Sequence, residues 1–190
     1  RTSATVGRLM RAAYIERFDA HDPASVLQVG ERPEPEPPHG WTTIEVRAAA
    51  LNHHDVWSCR GVGLTADRLP MILGTDAAGV DADGNEVIVH GVVNDPTWSG
   101  DEALDPRMSL FSERHQGTLA ERLAVPAVNL IPKPEALTFA EAACLPTAWL
   151  TAYRMLFTQA DAKPGDTILV QGATGGVATA LVALGAAAGL

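Results

Sequence analysis

The chain has 190 residues, and its 14 Lys and Arg residues against 23 Asp and Glu residues give a formal charge of −9. A net-acidic chain without a Lys/Arg run offers no basic face to phosphates, so the composition argues against a nucleic-acid partner. No apolar run approaches the ~20 residues of a membrane-spanning helix, and two cysteines are too few for a disulfide framework. We therefore predict a folded cytoplasmic protein with neither a nucleic-acid partner nor a membrane partner.

The first part of the chain has the pattern of a β-rich domain. We interpret residues 1–9 as an N-terminal extension, because Met10 opens the first β-like run. Many short apolar runs separated by Gly, Pro and Asp predict a compact β-barrel over residues 10–134. The runs are 12–15, 26–29, 42–49, 77–81, 86–90 and 119–125.

From about Thr138 the pattern becomes helical, so residues 135–190 are predicted to begin a second domain. Thr138 and Glu141 have the spacing of a capping box. Thr147 is placed to cap a second helix that continues toward Gln159. A short apolar strand is then predicted at 167–171 and a final helix at 177–188.

A glycine-rich turn joins this last strand to the last helix. Strand, glycine turn and helix form the arrangement in which a dinucleotide pyrophosphate rests on the helix N-terminus, where free N–H groups and the helix dipole favour an anion. The pattern predicts a cofactor turn, with an ordinary strand-to-helix turn as the alternative. The cofactor-binding residues predicted here are Gly172, Ala173, Thr174, Gly175, Gly176 and Val177.

The apolar surfaces of this second part need more cover than the chain supplies. Residues 168–170 are apolar in succession, and the helix at 177–188 is apolar nearly all round. We therefore expect the chain to be the front part of a longer protein with a doubly wound domain of roughly 150 residues. A partner chain that supplies the missing half is the alternative.

Five segments in order resemble the medium-chain dehydrogenase/reductase superfamily, and within it the zinc-independent quinone oxidoreductase and enoyl reductase branch. The resemblance implies a GroES-like β-barrel followed by the start of a truncated α/β Rossmann domain, with the active site in the cleft between them. It also implies a homodimer of the full-length protein through a sheet edge. The segments are 50–61, 69–80, 117–126, 142–156 and 163–178.

The resemblance bears on zinc as well. In zinc-using relatives a Cys stands at the position of Asn52, a His-Glu pair stands at Thr75 and Asp76, and another ligand stands near Thr147. Asn and Thr are poor zinc ligands, so we expect no metal site and no zinc.

The histidines and the last helix leave smaller questions. On a helix the adjacent His53 and His54 would point about 100° apart and could not readily share a metal. We interpret them as satisfied surface or cleft histidines. Polar residues that the quinone-reductase resemblance implies late in the last helix are replaced by Ala183 and Ala186.

Three residues of segment 50–61 are the predicted catalytic residues. By resemblance Asn52 and Asp55 line the cleft beside the nicotinamide, and Trp57 forms a wall against the ring or the substrate. The alternative is that Asn52 and Asp55 are only the N-cap and the third-position carboxylate of a short helix that ends at Gly61.

Two threonines, Thr147 and Thr151, are predicted to hydrogen-bond the cofactor. The alternatives are a helix cap for Thr147 and a core-facing hydroxyl for Thr151. We interpret Cys59 and Cys144 as small buried hydrophobic residues.

The resemblance implies an NAD(P)H-dependent oxidoreductase that transfers hydride to a small-molecule quinone or α,β-unsaturated carbonyl. NADPH is the expected cofactor, with NADH as the other candidate, and Asn52 with backbone N–H groups would stabilise the developing oxyanion. The alternatives are a zinc-type alcohol dehydrogenase and a non-catalytic cofactor-binding or interaction protein of the same fold.

Overall fold

The computed structural model describes residues 8–190, which form two compact units that meet in sequence between Ala143 and Cys144. The described part of the first unit contains ten strands and two α-helices. The strands are β1 Leu9–Ile15, β2 Gln28–Pro33, β3 Trp41–Ala50, β4 Met71–Ile72, β5 Asp76–Val80, β6 Glu86–Val89, β7 Val92–Val93, β8 Ser109–Leu110, β9 Arg122–Pro126 and β10 Leu130–Pro132. The helices are α1 His53–Cys59 and α2 Phe139–Ala143.

The strands form three antiparallel sheets with the orders β2-β1-β4, β10-β6-β5-β3-β9 and β7-β8. In the five-stranded sheet Ile44 lies opposite Leu123, and both side chains are buried in the same apolar cluster as Phe111. A bulge after Val46 changes the register between β3 and β5. The predicted β-barrel is confirmed as a curled arrangement of antiparallel sheets around this core.

The strands predicted in the first unit all overlap observed ones, and the run 119–125 enters a strand, β9, only at Arg122. In the run 26–29, Val26 ends a 3₁₀ turn and only the last two residues enter β2. The predicted extension is wrong at its end, because Leu9 belongs to β1 and the carbonyl of Arg8 accepts the Glu34 N–H at 2.8 Å. The rest of that extension lies outside the described residues.

The first unit closes with α2, whose capping box is confirmed. Thr138 N–H donates to Glu141 Oε2 at 2.9 Å, and Glu141 N–H donates to Thr138 Oγ1 at 3.3 Å. The helix contacts β3 and β5, because its buried Ala142 and Ala143 allow a close approach to the sheet. The first compact unit therefore extends through α2 to Ala143. The domain boundary after residue 134 stays a prediction.

The second unit is helical where the sequence predicts helices. Wide π-type turns at Leu145–Trp149 and Arg154–Gln159 flank α3, which spans Leu150–Tyr153. The last helix, α4, spans Gly176–Ala187, within one residue of the prediction at each end. The predicted cap at Thr147 is wrong, because this residue lies inside the first wide turn.

The predicted strand at 167–171 does not form in the described structure. A strand requires a neighbouring strand to accept and donate its backbone hydrogen bonds, and no strand is assigned between Cys144 and Leu190. Ile168 lies against α4, with its Cδ1 atom 3.2 Å from the position that a Cβ at Gly185 would take. Leu169 points the other way and is 87% exposed.

Among residues 8–190, no helix combines the length and the apolar composition needed to cross a membrane.

Candidate functional site

Helix α1 begins at a residue pair that the sequence singles out. Asn52 is the N-cap in an extended conformation, and its backbone N–H donates to Asp55 Oδ2 at 2.8 Å. The Asp55 N–H donates in return to the Asn52 carbonyl at 3.0 Å. These bonds give both residues the capping role that the sequence allowed, and Gly61, with φ of +79°, follows the helix end.

The carboxylate of Asp55 also ties α1 to the segment before β5. Its Oδ1 accepts the Gly74 N–H at 3.0 Å, and the side chain is buried. Burial raises the pKa of Asp55 above its ordinary value, and the hydrogen bonds from Asn52 and Gly74 oppose this effect. Through these hydrogen bonds the side chain of Asp55 holds the first turn of α1 in place.

The side chain of Asn52 joins two buried polar residues at the start of β5. Its Nδ2 donates to Asp76 Oδ2 at 2.9 Å and to Thr75 Oγ1 at 3.2 Å. Thr75 and Asp76 are 3% and 1% exposed. The structure thus brings together three of the four positions at which the resemblance implies metal ligands in zinc-using relatives, here an amide, a hydroxyl and a carboxylate joined by hydrogen bonds.

The segment that receives these bonds is fixed by the loop before β9. Thr118 donates its N–H to the Gly74 carbonyl at 3.1 Å and its hydroxyl to the Asp76 carbonyl at 2.9 Å. Gly74 has φ of +97°, and a Cβ there would overlap the Thr118 hydroxyl. Only glycine fits this close crossing, so the site rests on a rigid pair of segments.

A second polar cluster, which sequence analysis missed, lies on the same turn of α1. His54 Nε2 is 3.0 Å from Glu113 Oε1, and His54 Nδ1 is 3.4 Å from Ser112 Oγ. Ser112 is fully buried and has φ of +59°, a conformation that L-residues adopt only when their surroundings impose it. Gly63 leaves room for the Glu113 carboxylate, since a Cβ there would lie 2.7 Å from Oε1.

Nothing in the sequence near His54 indicates this cluster. Its partners lie 58 and 59 positions away, and the fold brings them to α1.

Among the described residues no group of three or more His, Cys, Asp or Glu side chains is arranged to hold a metal ion.

Trp57 presents an exposed aromatic surface on α1. Its side chain is 43% exposed, the His53 ring lies 5.6 Å away, and the guanidinium of Arg60 lies 5.5 Å from the ring centroid. Nearby, burial and then the charge of Asp55 raise the pKa of the Cys59 thiol, which fits its interpretation as a buried side chain. The same interpretation is wrong for Cys144, which is exposed.

In the second unit, the glycine turn precedes α4 as the sequence predicts. Gly175 is the N-cap and donates its N–H to the Gly172 carbonyl at 2.9 Å, while Gly172 has φ of +66°. Residues 172–176 are exposed, and no atom lies within 4 Å of a Cβ built on Gly172. The bond from Thr179 N–H to the Gly175 carbonyl closes the first helical turn, which leaves the N–H groups before it without an intrahelical acceptor.

The two threonines lie on the helices that pack against α4. Thr147 is half-buried in the first wide turn, and Thr151 in α3 is exposed. The alternative of a core-facing hydroxyl is therefore wrong for Thr151. Ala148, beside Thr147, lies 3.4 Å from the position of a Cβ on Gly176, so this helical segment adjoins the glycine turn.

A curled antiparallel barrel unit, followed by helices and a glycine turn at a helix start, defines the class as that of the medium-chain dehydrogenases and reductases. Residues 38–135 match the alcohol dehydrogenase GroES-like domain. The chain belongs to this domain family and, with it, to the medium-chain dehydrogenase/reductase superfamily.

Two curated relatives and one solved structure illustrate the similarity. The chain is 33% identical to the synaptic vesicle membrane protein VAT-1 homolog of Homo sapiens, over 93% of this chain and 41% of the relative. It is 31% identical to the crotonyl-CoA carboxylase/reductase of Cereibacter sphaeroides, over 89% of this chain and 44% of the relative. A crystal structure of an NAD-dependent alcohol dehydrogenase superposes with a TM-score of 0.86 at 34% identity, over 95% of this chain and 56% of that chain. The chain therefore spans less than half the length of these two curated relatives.

Proposed function

We propose that the full-length protein is an NAD(P)H-dependent oxidoreductase that transfers hydride to a quinone or to an α,β-unsaturated carbonyl. The observation that carries this proposal is the exposed glycine turn at the start of α4. The reductase name of the Cereibacter sphaeroides relative and the NAD-dependent alcohol dehydrogenase structure support the same class of reaction. NADPH is the cofactor we expect, and NADH is the other candidate.

The glycine turn fits a dinucleotide pyrophosphate. The N–H groups of Gly176 and Val177 open the helix, and the absence of side chains at Gly172 and Gly175 permits a close approach of the backbone to phosphates. We assign the remaining contacts of the turn to Ala173 and Thr174.

We further propose that Thr147 and Thr151 hydrogen-bond the cofactor. When bound, the nicotinamide would supply the hydride, and the protein supplies orientation and electrostatic stabilisation.

In the barrel unit we propose that Asn52, Asp55 and Trp57 serve the reacting end of the cofactor. The Asn52 amide donates to Thr75 at 3.2 Å and to Asp76 at 2.9 Å, so the bond to Thr75 is the weaker of the two. In the reaction Asn52 would turn this weaker donor toward the developing oxyanion. Asp55 holds the turn that carries Asn52, and the exposed ring of Trp57 provides an apolar wall.

We also propose that the reaction uses no catalytic zinc. Among Asn52 and its two partners Thr75 and Asp76, only Asp76 is of a residue type that binds zinc well. Metal analysis of the purified full-length protein tests this point. One zinc per chain that is required for turnover would favour the alternative of a zinc-type alcohol dehydrogenase.

The decisive experiment is a titration of the full-length protein with NADPH and NADH, followed by tryptophan fluorescence, with the 190-residue chain alongside. Gly172 has a left-handed backbone conformation, which a residue with a Cβ adopts only at a cost in free energy. We therefore expect Gly172→Ala to weaken cofactor binding about tenfold. Gly165→Ala is the matched control, because Gly165 also has a positive φ and open space around it but lies outside the turn.

Three outcomes of this titration differ in meaning. Equal weakening by both substitutions would show a general backbone effect and would remove the turn from the proposal. Absence of binding by the wild-type protein would remove the proposed function itself. Tight binding without oxidation of NADPH by quinones or enones would favour a non-catalytic cofactor-binding protein.

A further inference from the structure

The cluster of His54, Glu113 and Ser112 has the arrangement of an oriented acid–base residue. The imidazole is held at Nε2 by a carboxylate 3.0 Å away and at Nδ1 by a hydroxyl 3.4 Å away. The side chains of His54 and Glu113 are 20% and 23% exposed, so the pair is largely buried but still reaches solvent. A histidine oriented by a carboxylate on one nitrogen and offered to a reacting group on the other is the common form of a general acid–base catalyst.

The two imidazole nitrogens are held with different strength. The distance at Nε2 is that of a good hydrogen bond to a charged acceptor, whereas 3.4 Å at Nδ1 is close to the limit for any hydrogen bond. Nδ1 is therefore the more weakly held nitrogen, and a substrate group that binds it would replace the fully buried Ser112 hydroxyl. Glu113 remains behind the ring and stabilises it when it carries two protons.

The cluster is built on the same support as Asn52. His54 lies two residues after Asn52, and Asp55 anchors the turn to Gly74. The loop that supplies Ser112 and Glu113 continues to Thr118, which fixes the segment that binds Asn52. The charged groups facing His54 are Glu113 from this loop and Asp55 from its own helix.

We propose that His54 is the general acid of the reaction, delivering a proton from Nδ1 to the acceptor as the hydride arrives. The inference rests on the proposed function. The acceptor gains two electrons and a hydrogen from the cofactor and needs one proton, at the α-carbon of an unsaturated carbonyl or at the oxygen of a quinone. The Nδ1–H bond breaks as the new C–H or O–H bond forms, which leaves a neutral ring whose remaining hydrogen, at Nε2, is donated to the Glu113 carboxylate. After the product leaves, Nδ1 takes a proton back from water.

The test compares His54 variants of the full-length protein with a matched histidine. Crotonyl-CoA and duroquinone serve as acceptors, one for each class. We expect His54→Ala to lower kcat about 100-fold or more while NADPH binding is unchanged, since general acid catalysis contributes this much. Imidazole added to the solution should restore part of the lost rate. Glu113→Gln, which keeps the shape of the side chain, should lower kcat by a smaller factor.

The control is His90→Ala. His90 Nε2 lies 2.9 Å from Glu102 Oε2, so the pair has the geometry of His54 and Glu113 but stands on another part of the barrel unit. We expect this variant to keep the wild-type kcat. A second readout needs no turnover: in ¹⁵N NMR spectra of the cofactor-free protein, the acceptor should shift the Nδ1 signal of His54 and leave the signals of His90 in place.

The outcomes separate this inference from the function on which it rests. A wild-type protein that reduces neither acceptor would overturn both. A wild-type protein that reduces either acceptor while His54→Ala keeps its kcat, or loses it without rescue by imidazole, would overturn the role of His54 alone. In that case the cluster only anchors α1.

Discussion

Both units contain β-like apolar runs, but these runs form buried strands only in the barrel unit. In the barrel unit, Ile44 and Val89 lie in paired strands and are fully buried with Phe111. In the second unit, residues 167–170 form no strand, and Leu169 is 87% exposed. In α4, Val182 is 52% exposed although the helix is regular.

The difference shows that a strand and a helix depend on their surroundings in different ways. A helix closes its hydrogen bonds within a few residues, so α4 forms where its sequence predicts it. A strand closes its hydrogen bonds with a neighbour, so the β-like run after Asp166 forms a strand only beside another strand. Local pattern is sufficient for the first kind of element and insufficient for the second.

The largest expected effect comes from deleting a buried apolar side chain in the barrel unit, and an exposed apolar side chain in the second unit is the comparison. Phe111→Ala removes a fully buried ring from the barrel core and should lower the free energy of unfolding by about 3–5 kcal/mol. Leu169→Ala should change it by less than about 0.5 kcal/mol in the 190-residue chain, because exposed side chains contribute little. Urea unfolding followed by tryptophan fluorescence measures both.

The comparison would fail if Leu169→Ala destabilised the chain as much as Phe111→Ala. Such a result would mean that the segment around Leu169 is buried in solution against another part of the chain. The measurement on the full-length protein then shows whether additional chain covers this residue.

A smaller effect is expected from the polar network of the barrel unit. Asn52→Ala removes the two hydrogen bonds to Thr75 and Asp76, which are buried, and should cost about 1–3 kcal/mol of stability. It should also lower turnover of the full-length protein. Asn94→Ala is the control, because Asn94 Nδ2 also donates two bonds, to the Glu102 carbonyl and to Asp105, in a more exposed loop.

We expect Asn94→Ala to cost less stability and to leave turnover unchanged. An Asn52→Ala protein with wild-type turnover would refute the role of Asn52 as an oxyanion donor. Equal losses of stability in the two variants would show that the bonds of Asn52 stabilise the fold no more than the bonds of Asn94 do.

The smallest effect concerns the pH dependence of the barrel unit. Burial, followed by the charges of Arg68 and Arg114, lowers the pKa of His115 below its ordinary value of 6.5. The folded state therefore holds a neutral imidazole, and its stabilising contribution is present above pH 6.5 and is lost as the pH falls through the lowered pKa. His115→Gln should reduce the loss of stability on acidification.

Urea unfolding at several pH values on either side of the ordinary histidine pKa measures this effect. The difference between wild type and His115→Gln should grow in the acidic range and vanish above it. A parallel pH dependence in both proteins would show that other groups govern acid destabilisation.

The elements that sequence analysis predicts well are those with local causes. The capping box of Thr138 and Glu141, the limits of α4 and the N-cap role of Asn52 follow from residues within one helical turn. The elements it misses are short or distant. Strands β4, β7 and β8 have two residues each, which is too short for a period-two pattern.

The β-rich pattern of the first unit, the glycine turn at Gly172 and the helix after Asn52 could be predicted from the amino-acid sequence, because each depends on residues close together in the chain. The side-chain contacts at the site come from the folding of distant segments onto one another, which joins Asn52 to Asp76 and His54 to Glu113. These contacts join residues 24 and 59 positions apart, and they form because sheet pairing and close glycine crossings bring distant segments together.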